Sequence, residues 1–344
     1  MKKLIQFILL SAAVSCSVIP GPEYGGRVTL KVGIRPGTGT KATVEGSAAE
    51  NTVTSLQVFI FKKAGDEFVY ESSAMGSGSS LTVSVTDGEK RILALVNEQT
   101  DYTSVTTENG VLALGNMLSD NTPSGFLMSG AAGYDVSPTR NSVSIPVSRV
   151  ASRIHLKKIT NSLGAGLGDK DVKLKRVYLT GAASMSDYSG KDDGDSFYAT
   201  KAIGALLDKD GAAVGDDEKQ KVNALLYDGS GSGIIPRGGG TDADIFLYTY
   251  PNNGETVRTH MVAELEIDGR NYTYPVELET IGRNCTYEIN ELNIKSLGNH
   301  SNGDDIIDDG EDDPIVSETA TFGIEVQPWT VVPVSNEDDG SYTI

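Results

Sequence analysis

The chain is poor in the residues that do chemistry. It holds two cysteines, Cys16 and Cys285, and three histidines, His155, His260 and His300, none with a second His or a Cys beside it. That spacing excludes the clustered ligand sets of structural metal sites. His155 and His260 fall in alternating apolar stretches, where a packed side chain is expected rather than a base or a ligand. Positive charge is scarce: 29 Lys and Arg stand against 47 Asp and Glu, a net charge of -18. Nucleic-acid binding rests on counterion release by grouped Lys and Arg, so a nucleic-acid partner is excluded. No G-x-S-x-G elbow, Walker loop or H-E-x-x-H pair is present, and Gly164-Ala-Gly-Leu-Gly168 fails the dinucleotide spacing. The acidic run 304–313 invites a calcium reading. Aligning Gly310 with the invariant loop glycine, however, puts Ile307 and Val316 where oxygen ligands are required, which leaves at most an opportunistic cation site. The chain is expected not to be an enzyme and to hold no cofactor.

Long apolar runs are also missing. The one at the start is short: Lys2-Lys3, then Leu4 to Val14, then small residues and Cys16. It falls below the ~20 residues of a membrane-crossing helix and reads as a secretory leader. Ala13-Val14-Ser15-Cys16 looks like a bacterial lipobox, in which residues 1–15 are removed and Cys16 carries the lipid; the alternative is an ordinary signal peptide that happens to hold a cysteine. Exported proteins usually pair their cysteines, so Cys285, left without a partner, reads as a small buried hydrophobe.

What the sequence has in quantity is period-2 alternation. Val28, Leu30, Val32 and Ile34 share one side of a strand, with Thr29, Lys31 and Gly33 opposite. Further strands are expected at 56–61, 81–85, 91–96, 142–147, 153–159, 172–180, 244–250, 260–267, 272–278, 286–294 and 321–327. Thr86-Asp-Gly-Glu89 and Ile267-Asp-Gly-Arg270 carry the Asp-Gly hairpin signal. One helix is expected at 217–226, inside a Gly- and Asp-rich insertion, 182–241, that reads as surface decoration. About 330 residues exceed one ordinary core, and the run 142–159 is too long for one layer. Two all-β sandwich domains in tandem are expected, 16–149 and 150–344, with the boundary near Arg149.

Several stretches resemble the Bacteroidales fimbrillins, the subunits of type V pili: the lipoprotein leader, Ser55-Leu-Gln-Val-Phe-Ile-Phe61, Lys90-Arg-Ile-Leu-Ala-Leu-Val-Asn97, Arg149-Val-Ala-Ser-Arg-Ile154, Val177-Tyr-Leu-Thr180, Asn284-Cys-Thr-Tyr-Glu-Ile-Asn290 and a terminal strand ending Val326-Gln-Pro-Trp329. The resemblance implies two transthyretin-like sandwiches and assembly by strand replacement. The first strand, 28–34, fills a groove; a surface protease cuts behind it; a donor strand from another subunit takes its place. Arg35 and Lys41 are the basic candidates for the cut. Trypsin-like proteases cut poorly before proline, so Pro36 disfavours Arg35, and Lys41 is chosen, with Ala42 as the new first residue. The donor would come from the C-terminus, through Trp329, Val331, Val332, Val334, Tyr342 and Ile344.

The partners implied are other pilus subunits, a processing protease, the outer membrane through the lipid, and a host or bacterial surface ligand, at a cell-surface fimbria. The alternative is a non-polymerising surface lipoprotein that binds glycan or host protein. It calls for clustered exposed aromatics, for which Tyr134, Tyr188, Tyr198 and Tyr227 are the candidates, and Trp329 could either plug a core or bind a sugar.

Overall fold

In the computed structural model the described residues are 26–36, 44–45, 50–121, 125–164, 166–167, 170–191, 197–202, 205–207, 226–229, 232–301, 320–321 and 324–330. The first half is built from β1 (Arg27–Pro36), β2 (Val44–Glu45), β3 (Ser55–Ala64), β4 (Glu67–Ser77), β5 (Ser80–Thr86), β6 (Gly88–Val96), a short helix α1 (Glu108–Leu112), β7 (Gly115–Met117), β8 (Met128–Val136) and β9 (Ser142–Arg149). Seven of these form one sheet in the order β4-β3-β6-β8-β9-β1-β5. Alternation explains the placement. Leu30 and Val32 of β1, Val83 and Val85 of β5, and Val143 and Ile145 of β9 all turn inward and join one buried cluster.

The second half comprises β10 (Ser152–Asn161), β11 (Val172–Thr180), β12 (Ala182–Ala183), β13 (Met185–Asp187), β14 (Phe197–Ala202), β15 (Ala205–Leu207), β16 (Leu226–Asp228), β17 (Ile234–Ile235), β18 (Gly240–Thr249), β19 (Thr259–Ile267), β20 (Arg270–Leu278), β21 (Cys285–Ile289), β22 (Leu292–Ile294), β23 (Asn299–Ser301), β24 (Ala320–Thr321) and β25 (Ile324–Thr330). One sheet centres on β10, which pairs with β18 on one side and with β21 and β22 on the other. The other runs β16-β11-β19-β20-β23. The chain leaves the first sheet at Arg149 and enters the second-half sheet at Ser152. The fold is all-β, in tandem sandwiches, and its apolar cluster is continuous through both.

The two Asp-Gly turns part company. Asp268 and Gly269 both take positive φ, 51° and 74°, and close a tight hairpin in which Ile267 faces Arg270. Asp87-Gly88 does not close a hairpin. Among the described strands β5 pairs with β1 alone, while β6 lies between β3 and β8, so this turn carries the chain across the sheet. The run expected at 286–294 is broken at Asn290-Glu291 into β21 and β22, and the described residues of 321–327 fall in β24 and β25.

Two long strands of the first sheet escaped the pattern, as did the short β2, β7, β12 to β17 and β23. β4 is exposed or half-exposed throughout, and β8 reads Met-Ser-Gly-Ala-Ala-Gly-Tyr-Asp-Val, so neither shows apolar alternation. In β8 the small residues answer a contact: a Cβ on Gly130 would lie 1.9 Å from the Pro146 carbonyl oxygen of β9. The helix expected at 217–226 lies outside the described residues except Leu226, which is in strand β16. The insertion is not wholly decoration either, because β13 pairs with β7 of the first half.

Candidate functional site

β1 lies inside the first sheet. It runs antiparallel to β5 over Arg27–Gly33 and parallel to β9 over Lys31–Pro36. Its inward row meets the inward rows of both neighbours: Val28 faces Val85, Leu30 faces Val83, Val32 faces Val143 and Leu81, and Ile34 faces Ile145. Leu30 and Val32 are fully buried and Val28 nearly so, whereas Ile34 is half-buried at the strand's end. At about 1.5 to 3 kcal/mol per buried side chain, these three contribute roughly 5 to 9 kcal/mol. That is comparable to the whole stability of a typical domain, about 5 to 15 kcal/mol. Thr29, Lys31 and Arg35 face outward and are exposed.

After Pro36 the described chain resumes as β2, which lies parallel to β25 of the second half, with Val44 opposite Trp329 and Glu45 opposite Thr330. Arg35 is exposed and followed by Pro36 within the strand. Lys41, Ala42 and Cys16 lie outside the described residues. So do Val331, Val332, Val334, Tyr342 and Ile344, and the acidic run 304–313. Trp329 is in β25, whose residues Ile324–Pro328 pair antiparallel with β21, so its backbone belongs to the second sandwich of its own chain.

Sequence reasoning missed the junction between the sandwiches. Glu50, just ahead of β3, meets Arg153 of β10 with both guanidinium–carboxylate contacts near 3 Å, and Tyr248 of β18 donates to Glu50 Oε1 at 2.7 Å. Arg149, the last residue of β9, is fully buried. Its Nη2 donates to the Glu50 carbonyl at 3.1 Å and to Asn51 Oδ1, and its guanidinium lies over Phe126. Burial draws the Arg149 guanidinium down to about 9, with Glu50 opposing that shift and Arg153 adding to it. From the other side Arg283 donates to the carbonyls of Arg149, Ser148 and Tyr188. Asn284, at φ 54°, accepts from the Arg149 N–H at 3.2 Å. The end of β9 is thus held by the segment entering β3 and by the β20–β21 connection.

Tyr188 belongs to this junction, not to a surface cluster. It is fully buried and donates to Glu98, and burial, then the Glu98 carboxylate, push its hydroxyl well above the ordinary tyrosine range. Tyr134 is half-buried, with Arg140 over its ring. The loss of Tyr188 removes one of the four aromatics from the expected glycan surface. His155 is packed: its ring stacks on Phe246 at 4.1 Å and its Nε2 lies 2.8 Å from Asp244 Oδ1. Cys285 is half-buried rather than buried, and burial raises its thiol. Among the described residues no His, Cys, Asp and Glu group is arranged to hold a metal.

Residues 27–136, from the first residue of β1 to the last of β8, match the family described as major fimbrial subunit protein (FimA), a family of structural subunits rather than enzymes. No curated protein matches the sequence. Among solved structures, a protein of Bacteroides eggerthii assigned to cell adhesion is 17% identical, with a TM-score of 0.64 over 90% of this chain and 98% of its own. A fimbrilin (fimA) of Porphyromonas gingivalis W83 is 14% identical, with a TM-score of 0.61 over 89% of this chain and 99% of its own. At such identities the likeness is one of fold. The first sandwich thus carries the FimA family match in its sequence, and the chain as a whole has the fold of a solved fimbrilin.

Proposed function

We propose that this chain is a structural subunit of a cell-surface fimbria that supports adhesion. In this reading it is exported as a lipoprotein held in the outer membrane through Cys16. A protease then cuts the 35–42 segment, at Lys41 with Ala42 as the new first residue, or at Arg35 as runner-up. Because the anchor at Cys16 and the strand β1 lie on the same side of that cut, one cleavage breaks the covalent link of the body to both. A donor strand from the C-terminal segment of another subunit, 329–344, then occupies the place of β1 and restores its ladder and burial. No catalytic group, cofactor or metal takes part.

The observation that carries this reading is the position of β1: a strand that precedes all other described strands in sequence yet sits between β9 and β5 with Leu30 and Val32 fully buried. Treating the purified mature protein with a Lys- or Arg-specific protease tests it. One cut within 35–41, followed by ladders that resist SDS, is the expected result. A protein cut there that stays monomeric at every concentration would sink the proposal and leave a surface-binding module.

A further inference from the structure

We infer that β1, once cut from the chain, stays seated and leaves only as an incoming strand displaces it. Exchange is then a concerted replacement, with no empty groove as an intermediate. The inference rests on the fimbrial reading above and goes beyond it, because strand replacement by itself is equally compatible with a slot that empties first and fills later.

The ladder argues for displacement. Among the described strands, β5 has no pairing except the one to β1 over Arg27–Gly33. β9 is scarcely better supported, since β8 pairs with it only at Val147, Ser148 and Arg149. Ser142 to Pro146 of β9 are paired with β1 alone. Withdrawing β1 therefore exposes its own inward row and also removes the ladder partner of an entire strand and of most of a second. Unpaired backbone N–H and C=O groups between two apolar rows are costly. Val83, Val85, Val143 and Ile145, which face β1 across the two ladders, lose their cover in the same step. An emptied first sandwich would thus be one whose β5 and leading half of β9 are no longer held, not a shaped slot awaiting a guest.

The same pairings show how displacement can proceed. β1 is held on both sides only from Lys31 to Ile34, whose N–H donates to the Ser79 carbonyl at 3.2 Å just ahead of β5; Arg27 to Leu30 are paired with β5 alone, and Arg35 and Pro36 with β9 alone. Either end can therefore be peeled along one ladder while the rest stays paired. An invading strand can take over positions one after another, so that the number of unsatisfied backbone groups stays small throughout. The cut falls beside the Ile34–Pro36 end, where Ile34 is half-buried and Arg35 exposed, and this end is where invasion should begin.

The test uses the mature chain carrying a fluorophore at its N-terminus, cut by the Lys- or Arg-specific protease, with the cut chain itself at increasing concentration as the source of donor strands. The expected result is that the labelled fragment co-elutes with the body for hours in dilute solution and is released at a rate proportional to protein concentration. Hydrogen exchange at β5 should stay protected until release, and Val32→Ala should quicken release without changing its order. Release at one rate over a hundredfold range of concentration, leaving a folded monomer with β5 exchanging freely, would overturn the inference while the fimbrial reading stood. Absence of both release and ladders at any concentration would overturn the fimbrial reading, and the inference with it.

Discussion

Arg153 and Glu50 form a buried ion pair at 3.0 Å, both side chains 3% exposed, between the second sandwich and the segment that leads into the first. Tyr248 donates to the same carboxylate, and Arg149 takes the Glu50 carbonyl, so one acidic residue organises two arginines and a tyrosine from three strands. Removing its side chain leaves the buried Arg153 guanidinium without its carboxylate and takes a compensating charge away from Arg149.

Glu50→Ala should therefore cost about 3 to 5 kcal/mol, as expected when one partner of a buried pair is lost. Glu50→Leu with Arg153→Met should recover most of that, since a well-packed apolar replacement spares both desolvation costs. Denaturant titrations of the three proteins provide the comparison. A loss below 1 kcal/mol in Glu50→Ala would show that the pair does not fasten the junction.

In β1 the prediction concerns burial. Leu30→Ala should destabilise the uncut chain by about 2 to 5 kcal/mol. Thr29→Ala, one position along on the outward face, should change stability by no more than about 0.5 kcal/mol. Equal effects at the two positions, measured by thermal unfolding, would mean that the inward row of β1 does not pack as described.

Gly130 gives a backbone test. Any side chain there meets the Pro146 carbonyl oxygen, which is main chain and cannot swing aside. Gly130→Ala should cost on the order of 3 kcal/mol through forced separation of β8 and β9, although a strand normally gains from losing glycine. Gly133→Ala, three positions further along β8, meets nothing closer than 4.0 Å and should be neutral or slightly stabilising. Chemical denaturation of the pair would settle the contrast.

How much of this was legible follows from particular residues. β1, β9 and the β19–β20 hairpin could be read directly, because Val28 to Ile34 alternate and Asp268-Gly269 supplies two left-handed positions. β4 and β8 could not, because their Ser, Gly and Ala residues carry no period even though they are paired along their whole length. The neighbours of β1 were also hidden, since β5 and β9 are about 50 and 110 residues away and nothing local announces a parallel partner. The junction was the least legible part. Glu50, Arg149, Arg153 and Tyr248 each look like ordinary surface residues in sequence, and only the fold brings them together. A possible signal was Arg149-Val-Ala-Ser-Arg153, two arginines flanking small apolar residues where the chain changes sheets.

Alkaline pH supplies the last test. Burial, first of all, raises the hydroxyls of Tyr188, Tyr248 and Tyr274 well above the ordinary value near 10, with carboxylates adding to the shift at Tyr188 and Tyr248. A group whose folded pKa is raised contributes its full stability below the unfolded pKa and loses it as pH climbs toward the folded one. Above about pH 10 the unfolded chain releases these protons while the folded chain keeps them. Each such tyrosine should then steepen the fall in stability by about 1.4 kcal/mol per pH unit. Between pH 10 and 11.5 the melting temperature should drop sharply, and Tyr188→Phe should flatten the slope by one tyrosine's share while keeping the ring in place. An unchanged slope in that variant would mean that Tyr188 ionises in the folded protein, and hence that the junction around Glu98 admits water.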